Sequence, residues 1–137
     1  MRDKRLAALL AAITVLVTAH NIDHLLRDDL SSFQAVHWLI FIAVIGTIYA
    51  VIGLSFFLYR QSKIGPRYFT VAASAGFAFG WFAHFSPYTD QPPGYILNAY
   101  ESATAGWIAL SLLLVLMLTL ALTVVYGGYH WMRDARR

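Results

Sequence analysis

The chain has 137 residues, of which 59% are hydrophobic and only 12% are charged. Soluble domains carry about 25% charged residues, so this composition excludes an ordinary soluble fold and favours an integral membrane protein. The length suits one domain, residues 1–137, and no linker divides it. The chain has no cysteine, which removes thiolate metal ligands and thiol nucleophiles. Its net charge of +3 comes from basic residues beside apolar segments, so we expect no nucleic-acid partner and expect the lipid bilayer to surround the chain.

Four long segments contain no Asp, Glu, Lys or Arg, and they cover residues 6–22, 30–59, 68–89 and 102–132. A helix needs about 20 residues to cross the hydrocarbon core of a bilayer. The segments lack the alternation of polar and apolar residues that is typical of barrel strands. The sequence therefore predicts an all-α fold, a four-helix transmembrane bundle with short loops. Its predicted spans cover about residues 6–26, 35–59, 68–86 and 103–131.

The basic residues predict the direction of these spans. Nine of the ten lie before the first span, between the second and third, or after the fourth, and only Arg27 lies at the opposite ends. Short loops rich in Lys and Arg stay in the cytoplasm, so both termini are predicted to be cytoplasmic in a multi-pass protein of the plasma membrane. One alternative is a secretory signal cleaved after Ala19, which would leave three spans.

Small and polar residues predict which helix faces pack together. In the third span Ala72, Gly76 and Gly80 recur every fourth residue, and His84 continues this stripe, so His84 is predicted to face the interior. The second span has its own stripe, formed by Ala43, Gly46, Ala50 and Gly53. In the fourth span the inward face is predicted from its polar residues, namely Glu101, Thr104, Ser111, Thr119 and Thr123.

Histidines and carboxylates concentrate at the outer ends of the spans, where four of the five histidines lie, His37 among them. His20, Asp23, His24 and Arg27 occupy positions i, i+3, i+4 and i+7 of the first span and so share one helix face. Two imidazoles at i and i+4 can bind one metal ion, and a nearby carboxylate can join them or orient a histidine. This spacing favours a metal site.

The topology brings further groups to the same end of the bundle. His84 ends the third span, and Asp90 and Glu101 precede the fourth. The predicted metal ligands are His20, Asp23, His24 and His84, and the candidate supporting residues are Arg27, Asp90 and Glu101. Nitrogen and oxygen ligands without sulfur favour zinc, copper(II) or iron as the bound ion.

A purely structural interpretation is open for the same residues. Asp23 and Arg27 form an i, i+4 ion pair that can finish the first helix. Glu101 can close a capping box with Asn98 at the start of the fourth span. His20 lies deepest in its span, and neither explanation covers it.

Three functions are compatible with this sequence. The first is a metal-dependent site at the outer face, in an enzyme or a metal-handling module. The second is a b-type haem held by His84 and one histidine of the first span, while His130, alone at the inner end, offers no second haem site. The third is a non-catalytic accessory subunit or scaffold, whose apolar faces dock on other membrane subunits or form a homo-oligomer.

Overall fold

The computed structural model describes residues 3–27 and 35–136, and every regular element within these two stretches is an α-helix. The helices are α1 (Lys4–Leu26), α2 (Ala35–Arg60), α3 (Pro66–Phe85), α4 (Pro93–Asn98) and α5 (Ala103–Ala135). The four long helices begin and end within a few residues of the predicted spans, so the all-α prediction is confirmed. The short helix α4 lies in a segment predicted to be a loop. The side chain of His37 lies outside the described part of the chain.

Three of these helices are long and apolar enough to cross a membrane: Lys4–Leu26, Trp38–Arg60 and Ala103–Ala135. α3 is not among them, because its glycines, Ser74 and His84 lower its mean hydropathy. The structure thus supports membrane-spanning character for three of the four predicted spans. α1 continues as one helix through Ala19 to Leu26.

The predicted capping box before α5 is wrong. Ser102 caps this helix, and its hydroxyl accepts the backbone N–H of Ala105. Asn98 belongs to α4, where its side-chain amide donates to the carbonyl of Gly94. Glu101 is exposed. A serine hydroxyl directly before the first helical residue satisfies an orphan backbone donor, so no reciprocal bond from Glu101 is needed.

α5 is the central helix and packs against α1, α3 and α4. Its buried face is mostly apolar and consists of Gly106, Ala109, Leu110, Leu113, Leu116, Met117, Leu120, Thr123 and Gly127. The prediction that polar residues mark this face is confirmed for Thr123 and wrong for Glu101, Thr104 and Ser111, which are exposed. Thr119, which is only partly buried, shows the reason, because its hydroxyl donates to the carbonyl of Val115 four residues earlier in α5. A hydroxyl satisfied by its own helix needs no partner helix.

α3 packs on α5 through the small residues that the sequence analysis singled out. A Cβ atom added to Gly80 would lie 2.8 Å from the sulfur of Met117, and one added to Gly76 would lie 3.4 Å from a methyl group of Leu120. His84, one turn further along the same stripe, is buried. The predicted inward direction of the α3 stripe is therefore confirmed.

The small-residue stripe of α2 has the opposite orientation. All four of its members, Ala43, Gly46, Ala50 and Gly53, are exposed, so their predicted packing role is wrong. The rotation of α2 is set by Tyr49, whose hydroxyl donates to Thr18 at 3.0 Å and accepts from the Asn21 amide at 3.3 Å. A hydroxyl without a partner is unfavourable in an apolar environment, and these bonds to α1 satisfy it.

The ends of the helices that carry the basic residues meet around the N-terminus of α1. Tyr59 of α2 donates to the backbone carbonyl of Asp3, and Tyr126 of α5 donates to its carboxylate at 2.7 Å. Burial by itself would raise the pKa of Asp3, but hydrogen bonds from Tyr126 and from backbone N–H groups outweigh it and lower that pKa. Arg67 of α3 lies over the ring of Trp131 at 5.4 Å. The long helices therefore run in alternating directions.

The close approach of α4 to α5 leads to a prediction about Gly106. A Cβ atom at this position would lie 2.3 Å from the carbonyl oxygen of Leu97, which is backbone and cannot rotate away. Gly106→Ala is expected to lower the free energy of unfolding by about 1–3 kcal/mol, measured as thermal unfolding in detergent. Gly46→Ala is the control, because a Cβ there has no atom within 4 Å, and its effect should stay within about 1 kcal/mol. Equal stability of the two variants would contradict this packing.

Candidate metal site

Three histidine side chains converge where α1 and α3 end. Nε2 of His20 lies 3.1 Å from Nε2 of His84 and 3.2 Å from Nε2 of His24. The ring of His20 stands nearly perpendicular to the other two rings, at 72° and 79°, so the nitrogens meet without ring stacking. One ligand atom from each histidine lies within 4.8 Å of the other two, which is close enough to hold a metal ion. The histidine triad, as we call His20, His24 and His84, therefore fulfils the predicted grouping.

The spacing of the triad is close to that of a coordination sphere. Bonds of about 2.0–2.1 Å to a tetrahedral ion separate two ligand nitrogens by roughly 3.3–3.4 Å. The two contacts of His20 differ from this separation by only a few tenths of an ångström. His24 and His84 lie further from each other, so their side chains must rotate slightly toward a shared ion.

Hydrogen bonds on the far side of two rings fix which nitrogen carries the proton. Nδ1 of His84 lies 3.3 Å from the carbonyl oxygen of Gln91, which only accepts, so Nδ1 donates and Nε2 of neutral His84 presents a lone pair. Nδ1 of His24 lies 3.2 Å from a guanidinium nitrogen of Arg27, which only donates, so Nδ1 accepts and Nε2 of neutral His24 carries the proton. Nε2 of His20 therefore lies between a lone pair and an N–H group.

While the three imidazoles are neutral, no proton placement satisfies both contacts of His20. A proton on its Nε2 meets the N–H of His24, and a lone pair there faces the lone pair of His84. A metal ion resolves the second conflict, because it accepts a lone pair from each nitrogen. His24 would be the third ligand of such an ion if its proton moved to Nδ1 and Arg27 turned away from that atom. Nδ1 of His20 is itself buried without a hydrogen-bond partner in the described stretches.

A buried ion pair lies beside the triad. The Arg27 side chain is 0% exposed and that of Asp23 is 5% exposed, and two guanidinium nitrogens lie 3.0 Å from one Asp23 oxygen. The other Asp23 oxygen accepts the hydroxyl of Tyr100. The guanidinium also lies over the ring of Tyr95 at 5.8 Å. Asp23, predicted as a ligand, thus directs its oxygens at Arg27 and Tyr100, while the converging ligand atoms are those of the triad.

The remaining predicted site residues lie away from this centre. Asp90 is exposed in the turn after α3, and Glu101 is exposed before α5. The described part of the chain shows neither of them in the group that could hold an ion. His130 lies at the opposite end of the molecule, with its ring against Tyr126 and Tyr129.

Sequence reasoning missed three residues that support the site: Gln91, Tyr95 and Tyr100. All three lie in the segment between α3 and α5, and α4 positions that segment through Ile96, which is 0% exposed. A signal for this helix was present in the sequence, because Pro93 stands at its first position and proline favours the first turn of a helix. The Gln91 contact uses a backbone carbonyl, for which a sequence carries no signature.

Comparison with known protein families, curated proteins and solved structures finds no match to this chain. The chemistry of the site is therefore inferred from the geometry of its residues. That geometry combines three imidazole nitrogens, an apolar surrounding, and a guanidinium neutralised by its own carboxylate.

Proposed function

We propose that this protein spans the membrane four times and binds one transition-metal ion through Nε2 of His20, His24 and His84. The observation that carries the proposal is the convergence of these three nitrogens in an arrangement that the protons of three neutral imidazoles cannot satisfy. The donor set is nitrogen without sulfur, so zinc, copper(II) and iron are the ions that fit it.

The position of α3 supports the proposal that it also crosses the membrane, in addition to α1, α2 and α5. This helix has 20 residues, and therefore a length of roughly 30 Å, which equals the thickness of the hydrocarbon core. It packs along α5, which is apolar enough to span, and after Arg67 it carries no Asp, Glu, Lys or Arg. The positive charge of the opposite ends supports an extracytoplasmic position for the triad.

Three protein ligands favour a functional ion over a purely structural one. Structural zinc sites usually have four protein ligands, whereas three histidines leave a coordination position open. The bound ion supplies a Lewis acid that polarises an oxygen ligand and lowers the pKa of bound water toward about 7. Asp23 neutralises Arg27, whose charge would otherwise repel the ion at close range. We propose this as the role of both residues.

The same geometry favours a single ion over a haem. A haem held between His20 and His84 would have to place its iron and porphyrin ring between two nitrogens that are 3.1 Å apart. An ion fits with a small widening of that distance, whereas a porphyrin would require the two helices to separate. A visible spectrum decides the matter, because a Soret band would select haem.

Titration with Co²⁺ tests the proposal, with the untagged protein in lipid nanodiscs. We expect one Co²⁺ per chain and absorption bands of a four-coordinate site, displaced by Zn²⁺. Failure of Co²⁺, Zn²⁺, Cu²⁺ and Fe²⁺ to bind with this stoichiometry would refute it. The protein would then be better explained as an accessory subunit whose buried polar cluster only stabilises the fold.

Metal binding is expected to depend on pH. Imidazole binds metal only in its neutral form, so protons compete with the ion for each histidine. Lowering the pH from about 7.5 until the imidazoles are protonated should therefore weaken Co²⁺ binding by more than tenfold. Equilibrium dialysis measures the affinity, and a circular dichroism spectrum at each pH controls for unfolding. Affinity that stays constant down to the pH at which the protein unfolds would contradict histidine ligation.

A further inference from the structure

A cavity of about 550 Å³ begins at the triad and continues into the bundle between α1, α2, α3 and α5. Its volume falls within the range of small-molecule binding sites, roughly 300–1,000 Å³. His20, His24, His84 and Gln91 line it at one end, and Leu10 lines it at the other. Along α1 the distance from His24 to Leu10 is roughly 21 Å, so the cavity is long and narrow.

The distribution of polar groups along the cavity is uneven. Between its two ends the wall is mostly apolar, with residues such as Val17, Val44, Ile48, Phe79 and Leu116. An apolar wall does not hold water well, because a buried water needs several polar partners. A cavity left empty would forfeit the dispersion contacts of its lining. A hydrocarbon chain fits such a wall.

The cavity also opens to the outer surface of the helices. Val51 of α2 and Phe79 of α3 both line it, yet they are 43% and 51% exposed. In a membrane-spanning chain this surface faces lipid, so a hydrophobic molecule can enter sideways from the bilayer. Entry through water is not required.

Resting on the proposed metal site, we propose that the cavity binds a single-chain amphiphile from the bilayer whose oxygen-bearing head takes the open coordination position of the ion. The hydrocarbon chain then runs along the apolar wall toward Leu10. The carbonyl of Gln91 is committed to His84, so the head group is selected mainly by the ion. The chain is selected by the length and apolar character of the cavity.

Two hydroxamic acids test this inference, because the hydroxamate head ligates transition metals through oxygen. The Co²⁺-loaded protein in nanodiscs is titrated with acetohydroxamic acid and with hexadecanohydroxamic acid, and binding is read from the Co²⁺ absorption bands. We expect the long-chain compound to bind at least tenfold more tightly, because its chain is buried in the cavity. Equal affinities would overturn the inference.

Partition of the long chain into the bilayer also raises its apparent affinity, so a matched pair of variants isolates the cavity. Ala72 lines the cavity roughly 18 Å from His84 along α3, whereas Ala78 is exposed and lies outside it. Ala72→Phe should weaken the binding of hexadecanohydroxamic acid at least tenfold and leave the binding of acetohydroxamic acid unchanged. Ala78→Phe should leave both unchanged. If both variants bind hexadecanohydroxamic acid equally well, its partition into the bilayer alone explains its higher affinity, and the inference is overturned.

The outcomes separate the two proposals. If Ala72→Phe binds one Co²⁺ per chain but does not weaken long-chain binding, only the amphiphile site is refuted. If the parent protein fails to bind Co²⁺, the proposed function is refuted. If Ala72→Phe alone fails to bind Co²⁺, it has disturbed the fold, and Thr47→Phe replaces it. Thr47 lines the cavity from α2 and is exposed, so the larger side chain can be accommodated.

Discussion

Replacing His20 by alanine is expected to abolish stoichiometric metal binding. His20 is the central member of the triad, because its Nε2 contacts Nε2 of both His24 and His84. Loss of a residue that only orients a ligand costs roughly 10–100-fold in metal affinity, and loss of a ligand should exceed that. Titration of Co²⁺ followed by absorption measures the effect.

The matched control for this variant is His130→Ala. His130 lies at the other end of the molecule against Tyr126 and Tyr129, so its removal should leave the affinity and stoichiometry unchanged. Thermal unfolding of both variants shows whether His20→Ala still folds. A folded His20→Ala protein that binds Co²⁺ as tightly as His130→Ala would rule out the triad as the binding site.

Replacing Asp23 by asparagine is expected to destabilise the protein by about 3–5 kcal/mol. The variant removes the carboxylate that lies 3.0 Å from the guanidinium of Arg27, whose side chain is 0% exposed. Desolvation of an uncompensated charge is far more unfavourable than loss of an exposed pair. Thermal or denaturant unfolding in the same detergent measures the difference.

An exposed ion pair supplies the comparison for Asp23. Arg133 and Asp134 lie 3.7 Å apart with side chains that are 46% and 55% exposed. Asp134→Asn should therefore change stability by no more than about 0.5 kcal/mol. The double variant Asp23→Asn/Arg27→Gln should regain part of the loss, because it also removes the buried positive charge. Equal losses of stability in Asp23→Asn and Asp134→Asn would contradict a larger contribution of the buried pair to stability.

The histidine triad could be predicted because helical geometry links sequence spacing to direction. The interval of four residues places His20 and His24 on one face of α1, and the small residues of α3 carry the same argument to His84. The alternating direction of the helices then brings both groups to the same end. The structure confirms this grouping, and the binding of an ion by it stays a proposal.

The i, i+4 spacing indicated Arg27 as a partner of Asp23, and the structure confirms that ion pair. Tyr100 as a second partner could not be predicted, because its contact depends on the path of the chain between α3 and α5. Tyr100 reaches Asp23 only because α4 packs against α5 at Gly106, where the backbone of Leu97 approaches closely. A carboxylate next to two histidines has the same sequence spacing whether it binds an ion or a guanidinium. Its role is therefore decided by tertiary contacts.

The predicted inward faces of α2 and α5 were partly wrong for a different physical reason, which is where the hydroxyl groups of these helices form hydrogen bonds. Thr119 satisfies its hydroxyl within α5, so its polarity does not require burial. Tyr49 cannot reach its own backbone and bonds to α1 instead, which turns the small residues of α2 outward. Short polar side chains in membrane helices are thus weak guides to the interior.

The metal content of protein purified without a histidine tag tests the central claim most directly. Elemental analysis combined with X-ray absorption at the edge of the bound metal gives both the stoichiometry and the ligand type. The proposal predicts one zinc, copper or iron ion per chain, with about three imidazole nitrogens at roughly 2.0–2.1 Å. Substoichiometric metal in protein exposed to each of these ions, or an ion without imidazole ligands, would contradict it.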